Sequence, residues 1–116
     1  MKTNPICRVF AAFVCAACLC GCRSAPQLYS WGSYETQVYA YLKGEGRGTQ
    51  IATLERDLEK IKADGKAVPP GFYAHLGLLY AEASDVAKAI ACFQAEKARF
   101  PEAAAFMDFL LEGYGK

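Results

Sequence analysis

Between residues 49 and 64, Ile51, Leu54, Leu58 and Ile61 recur at spacings of 3, 4 and 3, with Glu55, Arg56, Asp57, Glu59, Lys60 and Lys62 between them. Apolar residues at that period fall on one side of a helix, so the spacing predicts an amphipathic helix whose charged side faces water. Residues 34–43 set Tyr34, Val38, Tyr41 and Leu42 on one face of an earlier helix, with Ser33 placed to cap its first turn. Gly44, Gly46 and Gly48 end that helix and turn the chain into the next. The GEGRG run is no phosphate loop, because it lacks the Lys-Ser or Lys-Thr of such a loop and no strand precedes it. Gly65 closes the charged helix, and Val68, Pro69 and Pro70 dictate an extended link to the next helix.

Residues 70–101 read as a helical hairpin organised by Tyr73, Leu76, Gly77, Tyr80, Ala89, Phe93 and Pro101, at spacings of 3, 1, 3, 9, 4 and 8. The absent side chain of Gly77 lets a second helix approach closely, Tyr73 and Tyr80 fill the space on either side, and Ala89 and Phe93 make the small and large parts of the facing surface. These positions resemble the tetratricopeptide signature of aromatic, Leu-Gly, Tyr, Ala, Phe and a closing Pro. Glu96 is the departure, standing where such repeats carry a small residue. At an offset of 39, Tyr34, Val38, Tyr41, Ile51 and Leu54 fall on Tyr73, Gly77, Tyr80, Ile90 and Phe93, which makes the first two helices a diverged copy of the hairpin. At an offset of 34, Met107, Leu110, Leu111 and Tyr114 fall on Tyr73, Leu76, Gly77 and Tyr80. Residues 102–113 are therefore expected to form a closing helix that seals the array.

The resulting expectation is an all-α fold, a short tetratricopeptide-like array of about five helices. Its predicted core is Tyr34, Val38, Leu54, Leu58, Ile61, Phe72, Leu76, Tyr80, Ile90, Phe93, Phe100, Phe106 and Leu110. A domain of this size buries roughly 60% of the surface its unfolded chain exposes, so it is marginal but able to fold alone.

The first residues follow another pattern. Lys2 and Arg8 form a basic leader, and residues 9–20 are an apolar run of 12, too short to span a bilayer comfortably. Leu19, Cys20, Gly21 and Cys22 then resemble a bacterial lipobox. The expected organisation is a lipoprotein signal peptide over residues 1–21, a lipidated Cys22 with a tether over residues 22–32, and the helical domain over residues 33–116. An alternative cut before Cys18 places Cys15 where the lipobox wants Leu, and an uncleaved anchor is the other alternative. Leu28, Tyr29 and Trp31 are too apolar for a purely solvated tether. They either fold back over the first helix as an end cap or insert at the membrane interface.

Removing residues 1–21 takes away Lys2 and Arg8, so the charge balance moves from 13 basic and 12 acidic residues to 11 and 12. Interspersed charges near neutrality give no electrostatic footprint for nucleic acid. Of the 6 cysteines, Cys7, Cys15, Cys18, Cys20 and Cys22 lie at or before position 22, which leaves Cys92 without an intrachain disulfide partner in the mature domain. Cys92 lies between Ala91 and Phe93 and reads as a buried apolar residue, with an intermolecular disulfide or a reactive thiol as the alternative. His75 is the one histidine and has no Cys, Asp or Glu three or four residues away to complete a helical metal pair, so it reads as a packing residue. No local nucleophile signature, metal motif, cofactor motif or small-molecule site emerges, and the expected protein is not an enzyme.

Ligands of tetratricopeptide repeats lie along the inner face of the first helix of each pair. Carried over by position, that partner-binding face is Ala74, Leu78, Ala81 and Glu82 from the clear repeat, Glu35, Tyr39, Leu42 and Lys43 from the first copy, and Asp108 and Glu112 from the closing helix. The alternative is that these residues only pack or face water. LYSWGSYETQVYAYLKGEG (residues 28–46), PPGFYAHLGLLYAE (residues 69–82) and FPEAAAFMDFLL (residues 100–111) resemble a family of small bacterial lipoproteins classed as domain of unknown function 4810. The resemblance implies an envelope component, an accessory to an export complex around an outer-membrane lipoprotein similar to the curli secretion channel. The expected partners are then the membrane, through lipid on Cys22, and other envelope proteins or lipoproteins. Arg23 in place of a retention Asp points the anchor to the periplasmic face of the outer membrane. The competing expectation is a structural lipoprotein that binds peptidoglycan or polysaccharide directly.

Overall fold

The computed structural model describes residues 25–114 together with Ile6. The expected signal peptide over residues 1–21 and the lipidation site Cys22 lie outside the described tether and domain. Five α-helices follow one another: α1 (Tyr34–Leu42), α2 (Arg47–Ala63), α3 (Phe72–Glu82), α4 (Val86–Arg99) and α5 (Ala104–Glu112), the last preceded by a 3-10 turn, Pro101–Ala103. The fold is all-α, as the periodicity predicts. Among the described residues the only β-type pairing outside it is a single parallel bridge between Tyr29 and Ala67.

The α3–α4 hairpin is the centre of the core. A Cβ added at Gly77 would lie 2.7 Å from Cε1 of Phe93 and 3.1 Å from Cβ of Cys92, so the close approach inferred from Gly77 is real. Around it, Leu54, Leu58 and Ile61 of α2 meet Phe72, Leu76 and Leu79 of α3 and Phe93 of α4. Tyr34 lies beside Phe72 and His75, and Tyr41 beside His75. The early residues of α1 thus meet the early residues of α3 and the late ones the late, which makes these two helices parallel neighbours, each returning through its own antiparallel partner.

Helix α5 departs from expectation. Met107 is buried, and Tyr114 stacks on Phe93 with ring centroids 6.1 Å apart, but Phe106, predicted to be core, is exposed and stacks on the equally exposed Phe109. The rotation that brings Met107 and Asp108 towards α4, where Asp108 pairs with Lys97 at 2.5 Å, turns position 106 outward. The closing helix therefore covers the hairpin with one side and offers two aromatic rings with the other. Tyr34, Val38, Ile90, Phe100 and Leu110 are half-buried members of the expected core.

Three helix ends share one geometry. The N–H of Glu45 reaches the carbonyl of Ala40, that of Lys66 reaches Ile61 and that of Asp85 reaches Tyr80, around left-handed residues Gly44, Gly65 and Ser84. This is the Schellman ending, which favours glycine at the left-handed position. Ser84, at φ 65°, is the one non-glycine there among the described residues. Ser84→Gly is expected to raise stability by about 0.5–1 kcal/mol, because relief of the left-handed strain exceeds the added unfolded-chain entropy. Thermal unfolding followed by circular dichroism would show a midpoint higher by a few degrees.

Two local expectations are corrected. Helix α2 begins at Arg47, so Gly48 lies in its first turn instead of stopping α1; the buried Gln50 amide donates to the Glu45 carbonyl at 2.9 Å and holds this start in place. Ser33 occupies the N-cap position of α1 but makes no side-chain cap. Its hydroxyl and its N–H both donate to Asp57, at 2.5 and 2.7 Å. The charged side of α2 is accordingly not all solvated. Asp57 holds the entry to α1, and Glu55 accepts from the Tyr80 hydroxyl.

The segment before α1 does fold back, though across more than the first helix. Ser30 N–H donates to the Ala67 carbonyl at 3.1 Å, the Tyr29 ring lies 6.4 Å from Phe100, and Trp31 lies 6.0 Å from Tyr34. Residues 28–31 thus form a strap over the α2–α3 link and the end of α4.

Candidate functional site

The parallel pair α1 and α3 supplies most of the expected partner-binding face. On α1, Glu35, Tyr39, Leu42 and Lys43 are all exposed, with Tyr39 at 59% and Leu42 at 76%. The Lys43 ammonium sits 4.5 Å from the centroid of the Tyr39 ring, a cation–π contact that holds both side chains on the open side. These residues are four, three and one apart, so they form a stripe along one side of the helix.

On α3 the same face is partly used by the fold itself. Ala74 and Ala81 are half-buried and pack against the core, and Leu78 is half-buried. Glu82 accepts from the Tyr41 hydroxyl at 2.7 Å and pairs with Arg47 Nε at 2.6 Å. Its hydrogen bond, followed by burial, pushes the Tyr41 hydroxyl pKa upward, so that group stays a donor. Asp108 and Glu112 do not extend the α3 face: Asp108 turns to Lys97 on α4, and Glu112 is exposed near the end of α5.

What the structure adds is a cluster at the far end of α1 and α3, where Tyr41, Arg47 and Glu82 join three helices. A cavity of about 580 Å³ opens there, lined by Tyr41, Leu42, Gly44, Glu45, Gly46, Arg47 and Glu82. Tyr41 and Arg47 were missing from the expected face because their partner Glu82 lies 41 and 35 positions away, and local spacing carries no signal for such a pair. The exposed Leu42 stands at the edge of this cavity beside the mixed charges of Glu45 and Arg47. An apolar stripe ending in a carboxylate, a guanidinium and glycine backbone suits a peptide segment, with side chains for the stripe and polar groups for the end.

The residues with intrinsic reactivity sit elsewhere. Burial pushes the Cys92 thiol up to about 11, so it is protonated at neutral pH and resists acting as a nucleophile. His75 is buried between the rings of Tyr34 and Tyr41, with no hydrogen-bond partner on Nε2. Among the described residues no three His, Cys, Asp or Glu side chains converge as a metal site.

Burial lowers the His75 pKa below its usual 6.5, against a smaller upward pull from Glu82. The unfolded chain therefore binds a proton at higher pH than the native fold does. Stability from this residue is present above about pH 6.5 and is lost as pH falls through the lowered native value. Thermal midpoints measured from pH 7.5 to 5 are expected to fall, and His75→Phe should flatten that slope while leaving steeper loss at lower pH to the carboxylates.

The profile of the family described as Domain of unknown function (DUF4810) matches residues 28–110. The chain belongs to this family. The DUF4810 match begins at the strap, includes the whole of α1 to α4 and ends inside α5. It thus takes in the α1 stripe and the Tyr41–Arg47–Glu82 cluster as parts of the family domain. No curated protein and no solved structure matches the chain significantly.

Proposed function

We propose that this protein is a lipid-anchored, non-enzymatic envelope lipoprotein that serves as an interaction or assembly accessory for other envelope proteins. The observation that carries the reading is the exposed Tyr39–Leu42 stripe on α1, leading into the cavity at Arg47 and Glu82. An apolar strip of this length, rimmed by charge, has the composition of a groove for a short peptide or helix. The lipobox-like Leu19–Cys20–Gly21–Cys22 run supports the anchor, on the periplasmic face of the outer membrane. An export complex around a curli-secretion-channel-like lipoprotein is the assembly that the family resemblance favours.

The anchor and the groove are tested separately. With radiolabelled palmitate, the native chain should incorporate label and Cys22→Ala should not; label retained by the variant would remove Cys22 as the site. A photoreactive amino acid at Leu42, activated in cells, is expected to yield discrete protein adducts. Adducts to glycan alone would favour the peptidoglycan-binding alternative and overturn the adaptor reading.

A further inference from the structure

The strap is unusual in which of its side chains it buries. Its backbone is fixed by the Ser30–Ala67 hydrogen bond, and Tyr29 is half-buried against Phe100. Leu28, at 71% exposure, and Trp31, at 37%, turn outward on either side of that fixed point. Apolar groups displayed on an already ordered backbone enter an interface without the entropy loss that a free linker would suffer.

Position relative to the anchor narrows the occupant. Leu28 follows Cys22 by six residues, and a fully extended chain advances at most about 3.6 Å per residue, so the strap lies within roughly 22 Å of the anchor residue. An indole beside an aliphatic side chain suits the headgroup region, where Trp is enriched. Exposed Lys66 and Arg99 immediately precede Ala67 and Phe100, the residues on which the strap rests, and put positive charge beside it. Exposed Asp64 and Glu102 offset part of that charge, so the apolar contact carries most of the attraction.

We infer that the strap, through Leu28 and Trp31, seats in the interfacial layer of the bilayer that holds the Cys22 lipid. This rests on the lipid anchor proposed above. It gives the domain an orientation: the starts of α1 and α3 face the membrane, and the Tyr41–Arg47–Glu82 cavity faces away from it, towards a partner.

Trp31 is the only tryptophan, so its fluorescence reports the strap alone. The full chain, expressed in bacteria, purified from membranes and reconstituted into phosphatidylethanolamine–phosphatidylglycerol vesicles, is examined with brominated phospholipid and with aqueous iodide as quenchers. Intact mass measured on the same sample reports lipidation. Trp31 is expected to be quenched by lipid brominated near the headgroup and shielded from iodide, and Leu28→Asp should lower the bromolipid quenching by about twofold or more with unchanged circular dichroism. Lipidated protein whose Trp31 is open to iodide and untouched by bromolipid would overturn the orientation and leave the anchor standing. Protein without lipid mass would remove both.

Discussion

Glu96→Ala is expected to destabilise the domain by about 3 kcal/mol or more, the largest loss from any single polar side chain in the fold. Glu96 belongs to α4 and is 2% exposed, and its carboxylate accepts from the backbone N–H groups of Gly71 at 2.5 Å and Ala74 at 3.3 Å. Those groups lie at the start of α3, where the first N–H donors of a helix have no partner within it and where the helix dipole favours a negative charge. Gly71, the N-cap residue, has no side chain with which to do this. Truncation therefore leaves two donors in the interior without an acceptor and opens a void. Glu96→Gln, which keeps an acceptor oxygen but loses the charge, should cost clearly less. Urea unfolding of both variants distinguishes the two: equal losses would mean that the carboxylate is not acting as a cap.

Gly77→Val is expected to prevent folding at 37 °C, and Gly77→Ala to cost about 1–3 kcal/mol despite alanine's better helix propensity. The new Cβ would fall 2.7 and 2.9 Å from two carbons of the Phe93 ring and 3.1 Å from Cβ of Cys92. Phe93 is fully buried and close to Tyr114, so it cannot swing aside without disturbing α5. Helices α3 and α4 would have to separate by a few tenths of an ångström or more along their central contact. Pairing Gly77→Ala with Phe93→Leu should recover part of the loss, because the smaller side chain vacates the space; no recovery would show that the contact at Gly77 is not what the substitution disturbs.

The helices and their hairpins were legible because each is written in local spacing: Ile51, Leu54, Leu58 and Ile61 trace the buried side of α2, and Gly77 with Phe93 the contact of α3 with α4. What was not legible depends on residues distant in sequence. Glu96 registered only as a departure from a repeat signature, and its role needs Gly71, 25 positions earlier. Asp57 and Glu55 belonged to an apparently solvated run until Ser33 and Tyr80 met them. Phe106 was misplaced because a short apolar helix such as α5 has no polar side to fix its rotation; its partners on α4 decide that. The candidate site divides in the same way. The α1 stripe follows from periodicity, whereas the Tyr41–Arg47–Glu82 cluster depends on how α1 and α3 align.

The strap's contacts join Ser30 to Ala67 and Tyr29 to Phe100, across 37 and 71 positions, while the two hairpins close over turns of a few residues. Contacts between distant positions form late, since long loops must close before they are rewarded. The first of these residues to be synthesised are consequently the last to dock. In a lipoprotein that order of events leaves the stretch just after Cys22 loose and accessible while the processing enzymes act on it. The strap is taken up once α4 has been completed, and the chain shortens its own tether as the final step of folding.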